Sequence, residues 1–177
     1  GKKLVELGLA QVYEKEAQAR LLPQNVTEGD LPLSREQEQA LHTLQQLHQH
    51  EVVLLHGATG SGKTEVFMQQ GKQVLILVPE ISLTPQMVKR VTARFGSHVA
   101  IYHSGLNAQE KYEQYQLVRR HQVQIVVGTR SAVFMPFDNL GVIIMDEEHD
   151  TSYKQDSSPR YHCRDIALHR GQYHHAL

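Results

Sequence analysis

At 177 residues, with 40% hydrophobic and 21% charged side chains, the chain has the material for one full domain at roughly 100–200 residues per domain. A net charge of −1 excludes a disordered polyelectrolyte and a generally basic nucleic-acid coat, but allows a groove with a few local cations. A single cysteine, Cys163, excludes a disulfide framework and a cysteine-based zinc site; with no apolar run near ~18 residues and no leader pattern, a cytoplasmic, non-membrane protein is expected.

Residues 1–33 open with an apolar, helix-like stretch, pass a short alternating run at Val12 and Tyr13, and end in Pro, Asn, Gly and Asp. This composition reads as the end of a preceding domain followed by a linker. The segment is too short to fold alone. Residues 34–177 form the main unit. Ser34 followed by Gln37 makes a capping-box start for a helix through about Leu47.

Short apolar runs then recur at Val52–Leu55, Val74–Val78, Val99–Tyr102, Val123–Val127 and Val142–Met145, with helical segments at Pro85–Phe95 and Ala108–Arg120. Continuously apolar strands alternating with amphipathic helices predict an α/β fold, a parallel sheet sandwiched by helices. One interval is too short for this scheme. After Gly62 only about eight residues remain before the next strand, ~12 Å of helix at 1.5 Å per residue against ~17–20 Å of strand. Residues are therefore expected to be missing from the sequence between Phe67 and Gly71.

The run Gly57-Ala58-Thr59-Gly60-Ser61-Gly62-Lys63-Thr64 follows one apolar strand and precedes a helix, as a phosphate loop does. Its glycines let successive N–H groups face a polyphosphate, Lys63 reaches the β/γ oxygens, and the Thr64 hydroxyl faces Mg²⁺. The strand ending at Met145 delivers Asp146-Glu147-Glu148-His149. A carboxylate there can hold Mg²⁺ from the other side, and its neighbour can polarise water, so Asp146 is the expected metal-side carboxylate and Glu147 the expected general base. A solvated acidic loop is the alternative for this run.

Downstream, Tyr153, Lys154, Arg160 and Tyr161 combine π faces with cations, the pairing used by single-strand binding sites. An ordinary polar loop is the alternative. Pro79–Gln86 and Gly128–Ser131 both follow apolar strands, hence lie on the carboxyl edge of the sheet where ligands collect. Small hydroxyls and N–H groups at a helix start suit phosphate oxygens. Thr84, Thr129, Arg130 and Ser131 are the candidates, with helix capping by Ser82 or Thr84 as the competing use. The twelve histidines show no dense ligand spacing, so no zinc is expected.

GATGSGKTEVF at 57–67, LVPEISLTPQM at 77–87, His103-Ser104-Gly105-Leu106, GTRSAVFMPFDNLGVIIMDEEHD at 128–150, and SYKQ with PRYHCRD at 152–165 together resemble the first RecA-like lobe of superfamily 2 DNA helicases, in particular the primosomal helicases of replication restart. The resemblance covers nearly all of 50–170. It implies ATP and Mg²⁺ as cofactors, an adenine-reading role for Gln37, and coupling of the ATP site to other motifs through His149. It also implies DNA backbone contact at Thr84, Thr129, Arg130 and Ser131, and signalling of DNA contact by the loop Asp150–Arg164. Some relatives carry Trp where Pro159 stands, and the chain has no Trp, so Tyr153 or Tyr161 is left to supply the stacking.

The same resemblance implies 3′→5′ unwinding of forked DNA on a single-stranded track, with primosome proteins and single-stranded DNA-binding protein as partners of the whole protein. Residues 1–16 resemble the closing helix and strand of a winged-helix domain, followed by linker up to residue 33, and the family's zinc cluster would lie beyond Leu177. The second lobe with its arginine finger also lies beyond it, and loss of a finger costs ~10³–10⁵ in turnover. The fragment alone is therefore expected to be poorly active. Two other classes remain open on the residues: a small kinase or GTPase, although no Asn-Lys-x-Asp guanine signature is present, and a docking module with an empty nucleotide site.

Overall fold

A computed structural model describes residues 71–176 together with His42. The phosphate loop Gly57–Thr64, Gln37, the Val52–Leu55 run, residues 1–33 and the Phe67–Gln70 interval lie outside the described residues. His42, within the expected Ser34–Leu47 helix, is helical and exposed.

The strands are β1 (Gln73–Leu77), β2 (Val99–Tyr102), β3 (Ile125–Gly128) and β4 (Leu140–Met145), separated by helices α1 (Pro85–Phe95) and α2 (Ala108–Arg119), with α3 (Cys163–His174) closing the described region. The four strands form one parallel sheet in the order β2-β3-β1-β4. The expected parallel α/β architecture is borne out, and α1 has the expected bounds. Val123, read as the start of a strand, is buried but precedes the β3 ladder, while β4 begins earlier than expected, at Leu140.

Alternating side chains along each strand feed two apolar layers. On one face Leu75, Leu77, Ala100 and Val126 join Leu117 and Val118 of α2 and Cys163 and Ala167 of α3. On the other, Val74, Val99, Ile125 and Val127 meet Met87, Val88, Val91 and Phe95 of α1. Burial on both faces explains why the strands read as unbroken apolar runs. Each fully buried Val, Leu or Ile in them stabilises by roughly 1.5–3 kcal/mol, well above the ~0–1 kcal/mol of an exposed ion pair, so the two layers decide the fold.

Local signals set the helix ends. Thr84 Oγ1 accepts the Met87 N–H at 3.2 Å, and Pro85 fills the first helical position, where its missing N–H costs nothing. In α2 the Asn107 side chain accepts the Glu110 N–H at 2.9 Å while the Glu110 carboxylate accepts the Asn107 N–H at 2.8 Å, a full capping box. β2 is the outermost of the described strands on its side of the sheet, and Gln114 Oε1 of α2 accepts its Ile101 N–H at 3.1 Å. That donor is thereby satisfied without another strand.

The β3–β4 connection runs through a tight 3₁₀ turn, Arg130–Phe134. Arg170 of α3 clamps this turn, donating to the Val133 and Met135 carbonyls at 2.5 and 2.7 Å with its guanidinium 5.3 Å from the Phe137 ring centroid. Burial lowers the Arg170 pKa. Arg170→Met keeps much of the apolar stem but strips two carbonyls of a charged donor, so urea unfolding should register a loss of about 2 kcal/mol. An unchanged midpoint would show that water replaces the clamp.

Candidate functional site

The strands end level with one another. Tyr102 is in register with Gly128, Gly128 with Leu77, and Leu77 with Met145. The chain leaving each strand therefore emerges on one edge, in the spatial order His103, Thr129, Val78 and Asp146. Hydrogen bonds extend the ladder one step past the strands: Thr129 N–H to Tyr102 O at 3.1 Å, Val78 N–H to Gly128 O at 3.0 Å, and Asp146 N–H to Leu77 O at 2.9 Å. The Pro79–Thr84 connection thus lies between the Gly128–Ser131 and Asp146–His149 segments. All three sequence-selected segments share the carboxyl edge, as expected.

Asp146 is partly exposed, and Glu147, Glu148 and His149 are exposed. Glu147 has φ 46°, in the left-handed region, where a non-glycine residue persists only when its surroundings hold it. The holding contact is a turn in which Asp150 N–H donates to Glu147 O at 2.8 Å. Asp150 then caps the next turn, its Oδ1 accepting the Ser152 N–H at 2.8 Å. A hydrogen bond from the Ser152 side chain, followed by this one from its N–H, holds the Asp150 pKa below its ordinary value. Glu148 leaves the acidic run sideways and pairs with Arg164 of α3 at 2.7 Å.

Tyr153 does not offer a ring face to a base. It is fully buried, and its hydroxyl donates to the Asp146 carbonyl at 2.6 Å. Burial, followed by the neighbouring Cys163 and carboxylates, raises its pKa well above that of a free phenol. The stacking expected of Tyr153 is therefore corrected: a ring enclosed by core atoms cannot stack on nucleic acid.

Arg130 also differs from its expected use. Its guanidinium donates to the main-chain carbonyls of Ser152 at 3.2 Å and Lys154 at 2.5 Å, so these contacts spend it on holding the downstream loop. Thr129 is buried, with its N–H committed to Tyr102, which removes its side chain from the surface expected to meet phosphate. Thr84 is exposed but acts as the α1 cap, the competing use. Ser131 is half-buried.

Past Tyr153, β5 (Lys154–Gln155) and β6 (Tyr161–His162) form a small antiparallel hairpin. Lys154, Gln155, Asp156, Arg160, Tyr161 and His162 line an open groove of ≈ 480 Å³ beside it. Lys154 pairs with Asp156 at 3.1 Å, and Arg160 is exposed. Tyr161 is half-buried; burial raises its pKa, opposed by the Arg130 charge and a hydrogen bond from it. The Tyr161 ring meets Phe134 edge-on with centroids 5.1 Å apart.

Phe134 is 54% exposed and was not a candidate on sequence, since nothing in the apolar run Ala132-Val133-Phe134-Met135 marks which member faces outward. The 3₁₀ turn buries Ala132, Val133 and Met135 and turns Phe134 outward. Cys163, at the start of α3, is buried and donates to Arg130 O at 3.5 Å. Burial pushes its thiol pKa up to about 12, which makes it an inert structural thiol at neutral pH.

The carboxylate of Asp146 suits Mg²⁺, a hard cation that takes one or two carboxylates and fills its remaining positions with water and phosphate oxygens. Among the described residues no three His, Cys, Asp or Glu side chains converge as a metal cage, and such a magnesium site needs none. No helix among the described residues is long and apolar enough to cross a membrane.

Residues 34–171 match the DEAD/DEAH box helicase family. The chain belongs to the DEAD/DEAH box helicases. In this helicase lobe the carboxyl edge carries the Asp-Glu-Glu-His box itself, and the expected superfamily 2 lobe is borne out. The chain is 47% identical to the replication restart protein PriA of Bacillus subtilis, over 98% of its own length and 23% of the relative's. It is 46% identical to the Synechocystis PriA over 96% of the chain and 21% of the relative, and 48% identical to the Haemophilus influenzae PriA over 80% and 20%. The chain thus spans about a fifth of the length of these curated relatives.

Proposed function

We propose that the chain is the ATP-binding first motor lobe of an ATP-dependent DNA helicase that works in replication restart. The observation that carries the reading is the helicase box at Asp146–His149 on the same sheet edge as the Pro79–Thr84 and Gly128–Ser131 segments, in a chain 46–48% identical to three PriA proteins. The phosphate loop, with Gly57, Thr59, Gly60, Ser61, Gly62 and Lys63, cradles ATP, and Gln37 reads its adenine. Thr64 and Asp146 hold Mg²⁺, which when bound neutralises charge on the phosphoryl oxygens. Glu147 accepts the proton of the attacking water. His149 transmits the state of the site.

Single-stranded DNA runs along the hairpin groove. Lys154 and Arg160 attract its phosphates, and Tyr161 with Phe134 offers aromatic surface to its bases. Ser131 adds a backbone contact. In the whole protein the substrate is forked DNA, unwound 3′→5′ in the bacterial cytoplasm, with primosome proteins and single-stranded DNA-binding protein as partners.

An ATPase titration of the intact protein with single-stranded DNA tests this assignment. Phosphate release that rises with DNA, together with strand separation of a fork, is the expected result. Phosphoryl transfer to a small acceptor in place of water identifies a kinase. Absence of any nucleotide binding identifies a docking module.

A further inference from the structure

Asp146 is tethered at both ends of its backbone. Its N–H is held by Leu77 O at 2.9 Å, and its carbonyl is held by the Tyr153 hydroxyl at 2.6 Å. The peptide that carries this carbonyl leads directly into Glu147, whose φ of 46° has to be maintained by its surroundings. Tyr153 is itself fixed on both sides. Arg130 binds the carbonyl of the residue before it and the carbonyl of the residue after it, while Asp150 caps the turn that contains it. Phenylalanine would fill the same buried space without requiring a partner, whereas a buried hydroxyl costs free energy unless it is bonded.

We infer that Tyr153 is a positioning residue: its buried hydroxyl fixes the Asp146–Glu147 peptide, and through that peptide it aims the Asp146 carboxylate at the metal position and Glu147 at the attacking water. The inference rests on the proposed roles of those two carboxylates. The chain Arg130–Tyr153–Asp146 joins the turn after β3 to the end of β4 across the end of β1, so the sheet edge itself sets the spacing. Neither Arg130 nor Tyr153 needs to touch nucleotide.

Tyr153→Phe in the intact protein removes one oxygen and keeps the ring. The Mg²⁺ concentration for half-maximal binding of a fluorescent ATP analogue should rise about 10-fold, the low end for loss of a partner outside the ligand shell. ATP turnover should fall at limiting Mg²⁺ and recover at high Mg²⁺. A merely structural hydroxyl would lower the melting temperature and leave the Mg²⁺ midpoint unchanged, and that result overturns the inference.

Asp146→Asn separates the two levels. If it leaves the Mg²⁺ dependence intact, the role of Asp146 is wrong; if it shifts the dependence while Tyr153→Phe does not, only the positioning role falls. Should the phenylalanine variant fail to fold, Arg130→Lys carries the same test, because lysine keeps the charge but lacks the planar fork that spans two carbonyls. A raised Mg²⁺ midpoint supports the inference, and an unmoved one refutes it.

Discussion

Gly128→Ala is expected to destabilise the domain by about 3 kcal/mol or more, the upper part of the range for overpacking a close contact. A Cβ built at Gly128 lies 2.3 Å from the Tyr102 carbonyl oxygen and 2.4 Å from the Ala132 Cβ. Neither neighbour can yield cheaply. Tyr102 O accepts the Thr129 N–H at 3.1 Å, and Ala132 is fully buried with its own N–H on Thr129 O at 2.8 Å. The glycine is required here by close approach of backbones, since the chain must leave β3 and turn at once into Arg130–Phe134.

The consequence extends to function, because Gly128 is the register partner of both Tyr102 and Leu77. Pushing β3 away from β2 would misalign the edge from which three candidate segments emerge. Thermal or urea unfolding provides the measurement. A midpoint equal to that of the unmodified protein would mean that the β2–β3 ends are looser than the ladder implies.

Much of this architecture was legible in the sequence because its determinants are local or periodic. Thr84 and Pro85 mark the start of α1 by their own chemistry, and Asn107 with Glu110 marks α2 by spacing alone. The strands announce themselves because both of their faces are buried. What could not be read is where a loop residue finds its partners. Tyr153 and Tyr161 are the same residue type in one short segment, yet one is sealed beneath the Asp146 backbone and the other flanks an open groove. Composition gives both an aromatic face; only the path of the chain over β1 decides which face meets solvent.

Arg130 shows the same limit from the side of charge. A guanidinium after a strand serves phosphate or main-chain carbonyls with equal chemical ease. The sequence has no mark for the two carbonyls more than twenty residues downstream that engage it. Phe134 was hidden for the opposite reason. A run of apolar residues in a 3₁₀ turn points one member outward, and its exposure follows from the turn rather than from the residue.

Glu147→Gln is expected to lower ATP turnover by at least ~10²-fold while nucleotide affinity and single-strand affinity stay near those of the unmodified protein, because a positioned general base contributes ~10²–10⁴ to rate and little to ground-state binding. Glutamine matches glutamate in shape and in its tolerance of the left-handed backbone at φ 46°, so the turn closed by Asp150 N–H and Glu147 O should survive. Proton-accepting capacity is then the principal loss. Glu148→Gln is the paired control. That carboxylate is drawn away to Arg164 at 2.7 Å in an exposed pair, worth ~0–1 kcal/mol, so turnover should change by no more than a few-fold. Single-turnover hydrolysis with saturating Mg²⁺ and single-stranded DNA distinguishes chemistry from product release. If the two variants exchanged phenotypes, the water-activating carboxylate would be Glu148, and the Arg164 pair would have to open before each turnover.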